Sequence, residues 1–415
     1  MPPHQCCPRR RATLTLLQHI QKKWIYHHAL IFLSLIYQSP LASANSFLLD
    51  SLYKLPQFNG TLKDGGVAPY GTLDLGINYS HAGNNRNWKM QSGGEWTSKF
   101  GLYGREPLGN GWKTEFNLEA GFNTNSGSDQ IPNPIFNREA WLGLESQHWG
   151  SLRLGRQLNT GLPLFVDPFG AVNTNSVYSW VGMGAVQTSR GILPNGDLGP
   201  GAAQLDSRVS NAVKWNSPRG AGLNIEVVHT AREDSEKIRP KSQGILLAHL
   251  SEPHLLAASF NQSWHRLSPK NPLEVRNDFY GLAAIYDIGI LVLSTSYSLT
   301  VPRWQETGIA RVYTAGAILT EKRHTYRLST VYRNTSGARD SDGKTIPSSA
   351  IGIMLGYDYN VSRRTGLYTR IGAIRNRGGS SIVLNGQQLP VDHLGQPATR
   401  TNPLGISAGL YHHFF

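Results

Sequence analysis

From residue 67 onward the chain repeats one pattern: a run of about ten residues whose side chains alternate one by one between apolar and polar, then a turn or a polar stretch. In Tyr70–Tyr79, Leu73, Leu75, Ile77 and Tyr79 share one parity, while Thr72, Asp74, Gly76 and Asn78 share the other. In Trp112–Phe122, Thr114, Phe116, Leu118, Ala120 and Phe122 oppose Lys113, Glu115, Asn117 and Glu119. A strand sends successive side chains to opposite faces, so each run is two-faced; a helical period of 3.6 fits neither. Ten residues is also the length a tilted strand needs to cross a bilayer. Alternation alone fits a soluble sandwich equally well, because there the polar face would meet water and the apolar face a core.

The connections decide between these. Short turns stand at Pro107–Asn110, Gln147–Gly150, Ser217–Ala221, Ser251–His254, Asp287–Gly289, Thr320–His324 and Asn360–Thr365. Between them lie longer polar stretches: Ser80–Gly93, Asn123–Ile135, Leu158–Asp206, Arg232–Gly244, Arg266–Arg276, Ser298–Thr307, Asn334–Pro347 and Arg375–Thr401. Short turns at one end and long loops at the other are the habit of transmembrane barrels, and the runs between them number about sixteen. A mean hydropathy of −0.33 is too polar for a helical membrane protein. It suits a barrel, in which only alternate residues meet lipid. The expected fold is therefore all-β, a transmembrane antiparallel β-barrel. The stretch 158–206 is far longer than an ordinary loop, and loops of that length usually carry function.

The N-terminus reads differently. Arg9, Arg10, Arg11, Lys22 and Lys23 make a basic start with no acid before Asp50; an apolar stretch runs from Ala29 to Tyr37, and Ala42-Ser43-Ala44 follows Pro40. This is the layout of a secretory signal, with cleavage after Ala44. The expected organisation is a signal peptide at 1–44, an extension without an assigned role at 45–66, and a barrel at 67–415. Cleavage would remove both cysteines, Cys6 and Cys7, and with them any disulfide or thiol chemistry. The formal charge of +13 would fall to +8, since five of the 40 basic residues leave and all 27 acids stay. No block of like charge accounts for the surplus, so a nucleic-acid partner is not indicated. In a channel the same surplus favours anions.

No nucleophile elbow, zinc-protease motif or phosphate loop is present, so no catalytic residues and no enzyme activity are expected. His412 and His413 are adjacent and must point oppositely on a strand, so they cannot chelate together; neither a metal nor a cofactor is expected. Tyr70, Tyr79, Trp112, Trp215 and Tyr411 lie near strand ends, where aromatic girdles mark the membrane interfaces.

Several segments resemble, in order, the general porins of Gram-negative bacteria, particularly the betaproteobacterial type. Tyr70–Asp74 (YGTLD) looks like their first-strand motif, and Lys99–Gly109 (KFGLYGREPLG) is similar to the second strand and turn. Asn137–Leu144 followed by Gly150–Gln157 resembles strands four and five, Asn211–Trp215 with Ser217-Pro218 the sixth, and Ala408–Phe414 the terminal strand. The resemblance implies a homotrimer of sixteen-stranded barrels in the outer membrane, surrounded by lipid and lipopolysaccharide and passing small hydrophilic solutes and ions. It also implies a third long loop, here 158–206, folded into the lumen. By the family's pattern, bases on the wall face acids on that loop: Lys99 on strand two, Arg156 at the end of strand five and Arg208 at the start of strand six, against Asp167, with Asp197 and Asp206 as further candidates. Arg105 shares the polar face of strand two with Lys99, so it too points toward the lumen. Arg156 has the parity of Leu152 and Leu154, so the strand must end or bulge there. The terminal aromatic that presents such a chain for membrane insertion is Phe414 or Phe415. A solute-specific channel and a non-conducting adhesin or anchor are the alternatives.

Overall fold

The computed structural model describes residue 62 and residues 65–131, 134–161, 166–170, 174–188, 191–218, 222–231, 242–268, 271–338, 344–391 and 397–414. The expected signal segment 1–44, all of 45–66 except Leu62, Gly65 and Gly66, and Phe415 lie outside them.

Seventeen strand segments form one sheet. Two of them, Asn85–Ser92 and Lys99–Gly109, pair one after the other along the first strand and count as one broken stave, giving a closed sixteen-stranded antiparallel barrel. In chain order the staves are β1 (Gly66–Ala82), β2 (Asn85–Ser92 and Lys99–Gly109), β3 (Trp112–Gly121), β4 (Glu139–Ser146), β5 (Gly150–Leu158), β6 (Arg208–Asn216), β7 (Leu223–Thr230) and β8 (Ser242–Ser251). The second half comprises β9 (His254–Ser268), β10 (Asn271–Asp287), β11 (Leu291–Pro302), β12 (Ile309–Glu321), β13 (His324–Ser336), β14 (Ser348–Asn360), β15 (Thr365–Gly378) and β16 (Leu404–Phe414). Closure is antiparallel between β1 and β16, in a register from Gly71 opposite Phe414 to His81 opposite Leu404. A closed sheet leaves no edge, which is what permits strands to cross hydrocarbon.

Alternation decides which way each side chain points. On β13, Tyr326, Leu328 and Tyr332 are exposed, whereas Arg327, Ser329, Val331 and Arg333 are turned the other way and covered. On β16, Ile406, Ala408 and Leu410 are exposed outward and Ser407 is buried. The outer surface is therefore an apolar band and the inner surface a polar one. Tyr70 and Tyr411 were expected in the outer girdles but stand on the inner parity. The Tyr70 hydroxyl donates to Asn117 Oδ1 (2.8 Å) and Glu119 Oε2 (2.9 Å), and that of Tyr411 to Asn360 Oδ1 (3.0 Å). Each ring has an inward polar partner that holds its hydroxyl out of lipid. Trp112 and Trp215 remain outward and exposed.

The short turns lie at or close to their expected positions. Between β2 and β3, Asn110 and Gly111 both have positive φ (50° and 76°), the geometry of a two-residue type I′ hairpin, which Asn-Gly adopts at little cost. Two stretches expected as loops, 80–93 and 266–276, are instead mostly strand: β1 continues to Ala82 with β2 resuming at Asn85, and β9 ends at Ser268 with β10 starting at Asn271. Past the lipid both faces of a hairpin meet water, so pairing continues without the alternation by which a strand is recognised in sequence.

The long connection after β5 packs apolar side chains against the inner wall. Phe169, Val177, Tyr178, Val181 and Val186 are buried against Val312, Val331, Ala350, Met354 and Ile374, whose strand neighbours Tyr313, Tyr332, Ile351, Ile353 and Leu355 are the exposed, outward ones. Each valine so covered contributes roughly 1.5–3 kcal/mol. The last connection, after β15, joins the same cluster through Ile382 and Leu384, and the Val383 N–H donates to the Ala185 carbonyl (3.0 Å).

Candidate functional site: the charged inner wall

The inner parity of β2 to β6 carries two charged groups. In the first, Glu119 accepts from Lys99 Nζ (3.1 Å) and Arg138 Nε (2.5 Å) as well as from Tyr70. Arg208 lies within electrostatic reach of Lys99, Arg138, Glu119 and Glu139, and its Nε is buried without a hydrogen-bond partner. Three cations thus share two carboxylates, Glu119 and Glu139. In the second group, Glu115 gathers Arg105 (2.8 Å) and Lys113 (3.2 Å), while the Arg153 guanidinium stacks 4.4 Å over the Trp141 ring.

These contacts sort the residues singled out from the sequence. Lys99 and Arg208 come together. Arg105 shares the inner face with them, but six residues along β2, roughly 20 Å at strand rise, and it pairs with Glu115 instead. Arg156 sits at the expected irregularity: the β5–β6 register shifts between Gly155 and Gln157, and Gly155 has φ 125° with the Ala140 carbonyl too close for any Cβ. The bulge does not bring Arg156 into the cluster's hydrogen bonds. Its guanidinium donates to the Asn137 carbonyl (2.8 Å) and to the Oγ of exposed Ser210 (2.8 Å).

Asp167 was expected to face these bases across the neck; in the structure its carboxylate is bound by local donors. Its Oδ1 accepts from the Phe169 N–H (2.9 Å) and Ser176 Oγ (3.4 Å), and its Oδ2 from Ser329 Oγ on β13. Arg327 donates to the adjacent Pro168 carbonyl (2.7 Å). Asp167 is a buried fastener of the loop to the wall, with both oxygens occupied by local donors. Burial pushes its carboxyl up to about 6, against the lowering pull of Ser329, the Phe169 amide, Ser176 and Arg327. Asp197 is a second fastener: the Arg333 guanidinium grips it with two bonds (2.6 and 2.8 Å) and Thr335 adds a third (2.6 Å). Asp206 is lifted above the usual carboxylate range by burial, opposed by His265 and Arg156.

A lattice on β13 to β15 was not anticipated from the sequence. The break in β2 turns Glu95 inward, where Asp74 holds it by accepting from the amides of Gly94, Glu95 and Trp96 (3.2, 2.8 and 2.6 Å). Glu95 then pairs with Arg327 (3.1 Å) and Arg370, and both arginines also reach Asp358 (2.7 and 2.5 Å). Arg370 lies 5.2 Å from the Phe169 ring of the loop. The inward parity of Arg327, Ser329, Val331 and Arg333 was open to inspection in the sequence, whereas Glu95 lies in an irregular segment with no period to show its direction.

A closed sixteen-stranded barrel, apolar outside, charged inside, with short turns at one end and long loops at the other, defines an outer-membrane pore protein. A family model for Gram-negative porins matches residues 29–379, and the chain belongs to that family, whose members are non-enzymatic outer-membrane channels. An outer membrane porin of Bordetella pertussis is 26% identical over 270 residues, 57% of this chain and 65% of that one. Outer membrane porin protein 32 of Delftia acidovorans is 26% identical over 380 residues, 88% and 99% of the two chains. Among solved structures, an anion-selective porin from Comamonas acidovorans superposes with a TM-score of 0.66 at 22% identity, covering 85% of this chain and all of that one. The OmpT outer membrane protein of Vibrio cholerae gives 0.58 at 13%, covering 85% of this chain and all of that one.

Proposed function

We propose that the chain is exported with residues 1–44 as a cleaved signal, assembles as a trimer, and forms a water-filled diffusion pore whose neck favours small anions. The connection 159–207 narrows that neck, and the bases of β2 to β6 set its preference. The observation carrying this reading is the surplus of three cations, Lys99, Arg138 and Arg208, over the two carboxylates beside them, Glu119 and Glu139. A row of fixed positive charge in a narrow aqueous passage lowers the energy of an entering anion and raises that of a cation. The anion-selective relative supports the same sign. Solutes move down their own gradients, and no cofactor takes part.

Reversal potential in planar bilayers under a salt gradient tests it. The double substitution Lys99→Gln, Arg208→Gln leaves Glu119 with Arg138 and Tyr70, so the barrel is expected to fold, and the reversal potential shifts toward cations. An unchanged potential removes both residues from the neck. Saturable block by one sugar or organic acid would instead make the pore solute-specific, and absence of any conductance would leave only an adhesive or anchoring role.

A further inference from the structure

We infer that the segment preceding β1 folds back into the short-turn mouth of the barrel, with Leu62 seated on the inner wall as its anchor, and narrows the pore from that side. The inference goes beyond the pore reading and rests on it only for the effect on conduction. β1 begins at Gly66, opposite Arg105 near the turn end of β2. Leu62 packs against the cluster of Tyr70, Tyr103 and Trp141, three buried rings of the inner parity. Its carbonyl accepts from Arg105 Nη1 (3.3 Å).

A chain that ran on straight from β1 would carry Leu62 roughly 13 Å past Gly66, beyond the start of the wall. Leu62 instead returns to rings that lie deeper than Gly66: Tyr103 pairs with Ala68 in the sheet, and Trp141 is level with it through Asn117. The reversal stands at Gly65-Gly66, whose φ values of 91° and 120° do not suit a residue with a Cβ. A Cβ on Gly65 would also come within 2.9 Å of Pro107 Cδ. The chain ahead of Leu62 is therefore aimed into the lumen rather than away from the barrel.

The sequence of the occupant agrees with that direction. Residues 45–61 include Phe47, Leu48, Leu49, Leu52, Leu55 and Phe58, with one acid, Asp50, and one base, Lys54. Such apolar surface gains by leaving open water, and a segment of no net charge meets no repulsion from a basic mouth. The mouth is lined by Arg105, Lys113 and Arg153 around Glu115. A chain crossing it takes cross-section from the solute and covers part of that wall, so the segment lowers conductance.

The test is made on the mature protein with a single thiol, Phe58→Cys, and a maleimide bearing a polymer too wide to enter the pore. With Leu62 in place the thiol should react about tenfold more slowly than in the Leu62→Gln background, where the anchor is lost. Leu62→Met, which refills the aromatic cup, should stay slow. In planar bilayers, Leu62→Gln and a deletion of 45–61 should both raise single-channel conductance above that of the parent, whereas Leu62→Met should not. The deletion leaves Leu62 and the glycine turn in place, so it removes the occupant without touching the wall. Equal labelling with and without the anchor overturns the inference, and so does equal conductance of the parent and both opened variants. Labelling needs no conduction, so a barrel that passes no current would sink the pore reading while the thiol still decides where the segment lies.

Discussion

Acidification should tighten the hold of the barrel wall on the long inner connection, and Asp167 is the group responsible. Its carboxyl titrates at about 6 where it is fastened and at 3.8 when free. A carboxyl raised in the fastened state binds a proton there first, so the fastened state gains stability as pH falls through 6 and stops gaining near 3.8. The gain is about 1.4 kcal/mol per pH unit within that window, and none accrues above it. Between pH 7.5 and pH 4.5 the opening equilibrium should fall about thirtyfold. The charged and titratable groups around it are Arg327 on β13, which opposes the rise, and Tyr178 on the connection itself. Hydrogen–deuterium exchange of peptides covering 166–182, corrected for the intrinsic pH dependence of exchange, measures the opening directly. Asp167→Asn has one acceptor oxygen for donors that now use two, so its loop should open more readily at every pH, by about 1–3 kcal/mol. It should also lose the pH dependence. Equal protection of the parent at both pH values, or the same pH slope in Asp167→Asn, would refute the argument.

Arg333→Met leaves Asp197 buried beside Thr335 without its guanidinium, a loss of about 3–5 kcal/mol from the fastening of the connection. Single-channel recordings should show added gating noise, and a second change, Asp197→Asn, should restore quiet openings. Ile353 is exposed on the outer face of β14, so Ile353→Arg places a charge in lipid. Urea titration of folding into vesicles should register a loss of about 2–4 kcal/mol if the site lies near the midplane. The neutral substitution Ile353→Val, by contrast, should leave the midpoint nearly unmoved.

The two-residue alternation of the chain, read together with its short turns and long loops in turn, determined that it makes staves of a barrel and which face of most staves meets lipid. That pattern is local: each residue's side follows from its neighbour's, and Ile406, Ala408 and Leu410 are outward because Ser407 is inward. The turns were legible for the same reason, though the one expected at Pro107–Asn110 is narrower and shifted to Asn110-Gly111, because strand pairing runs on to Gly109 and the φ preferences of those two residues decide the hairpin. Parity also placed Lys99 and Arg105 on one face, yet it could not say that Arg105 belongs to Glu115 and Lys99 to the crowd at Glu119. Those pairings depend on which rows of different strands come level after closure. Parity misplaced nothing on Tyr70; its position near a strand end suggested a girdle, and only the acceptors Asn117 and Glu119 across the sheet show why the ring turns inward. The irregular segments were the least legible. Glu95 and Asp167 sit where the backbone has no period, and their partners, Arg370 and Ser329, are 275 and 162 residues away. A contact made at that separation has no local signature, so the loop's fastening and the inner lattice belong to the tertiary structure alone.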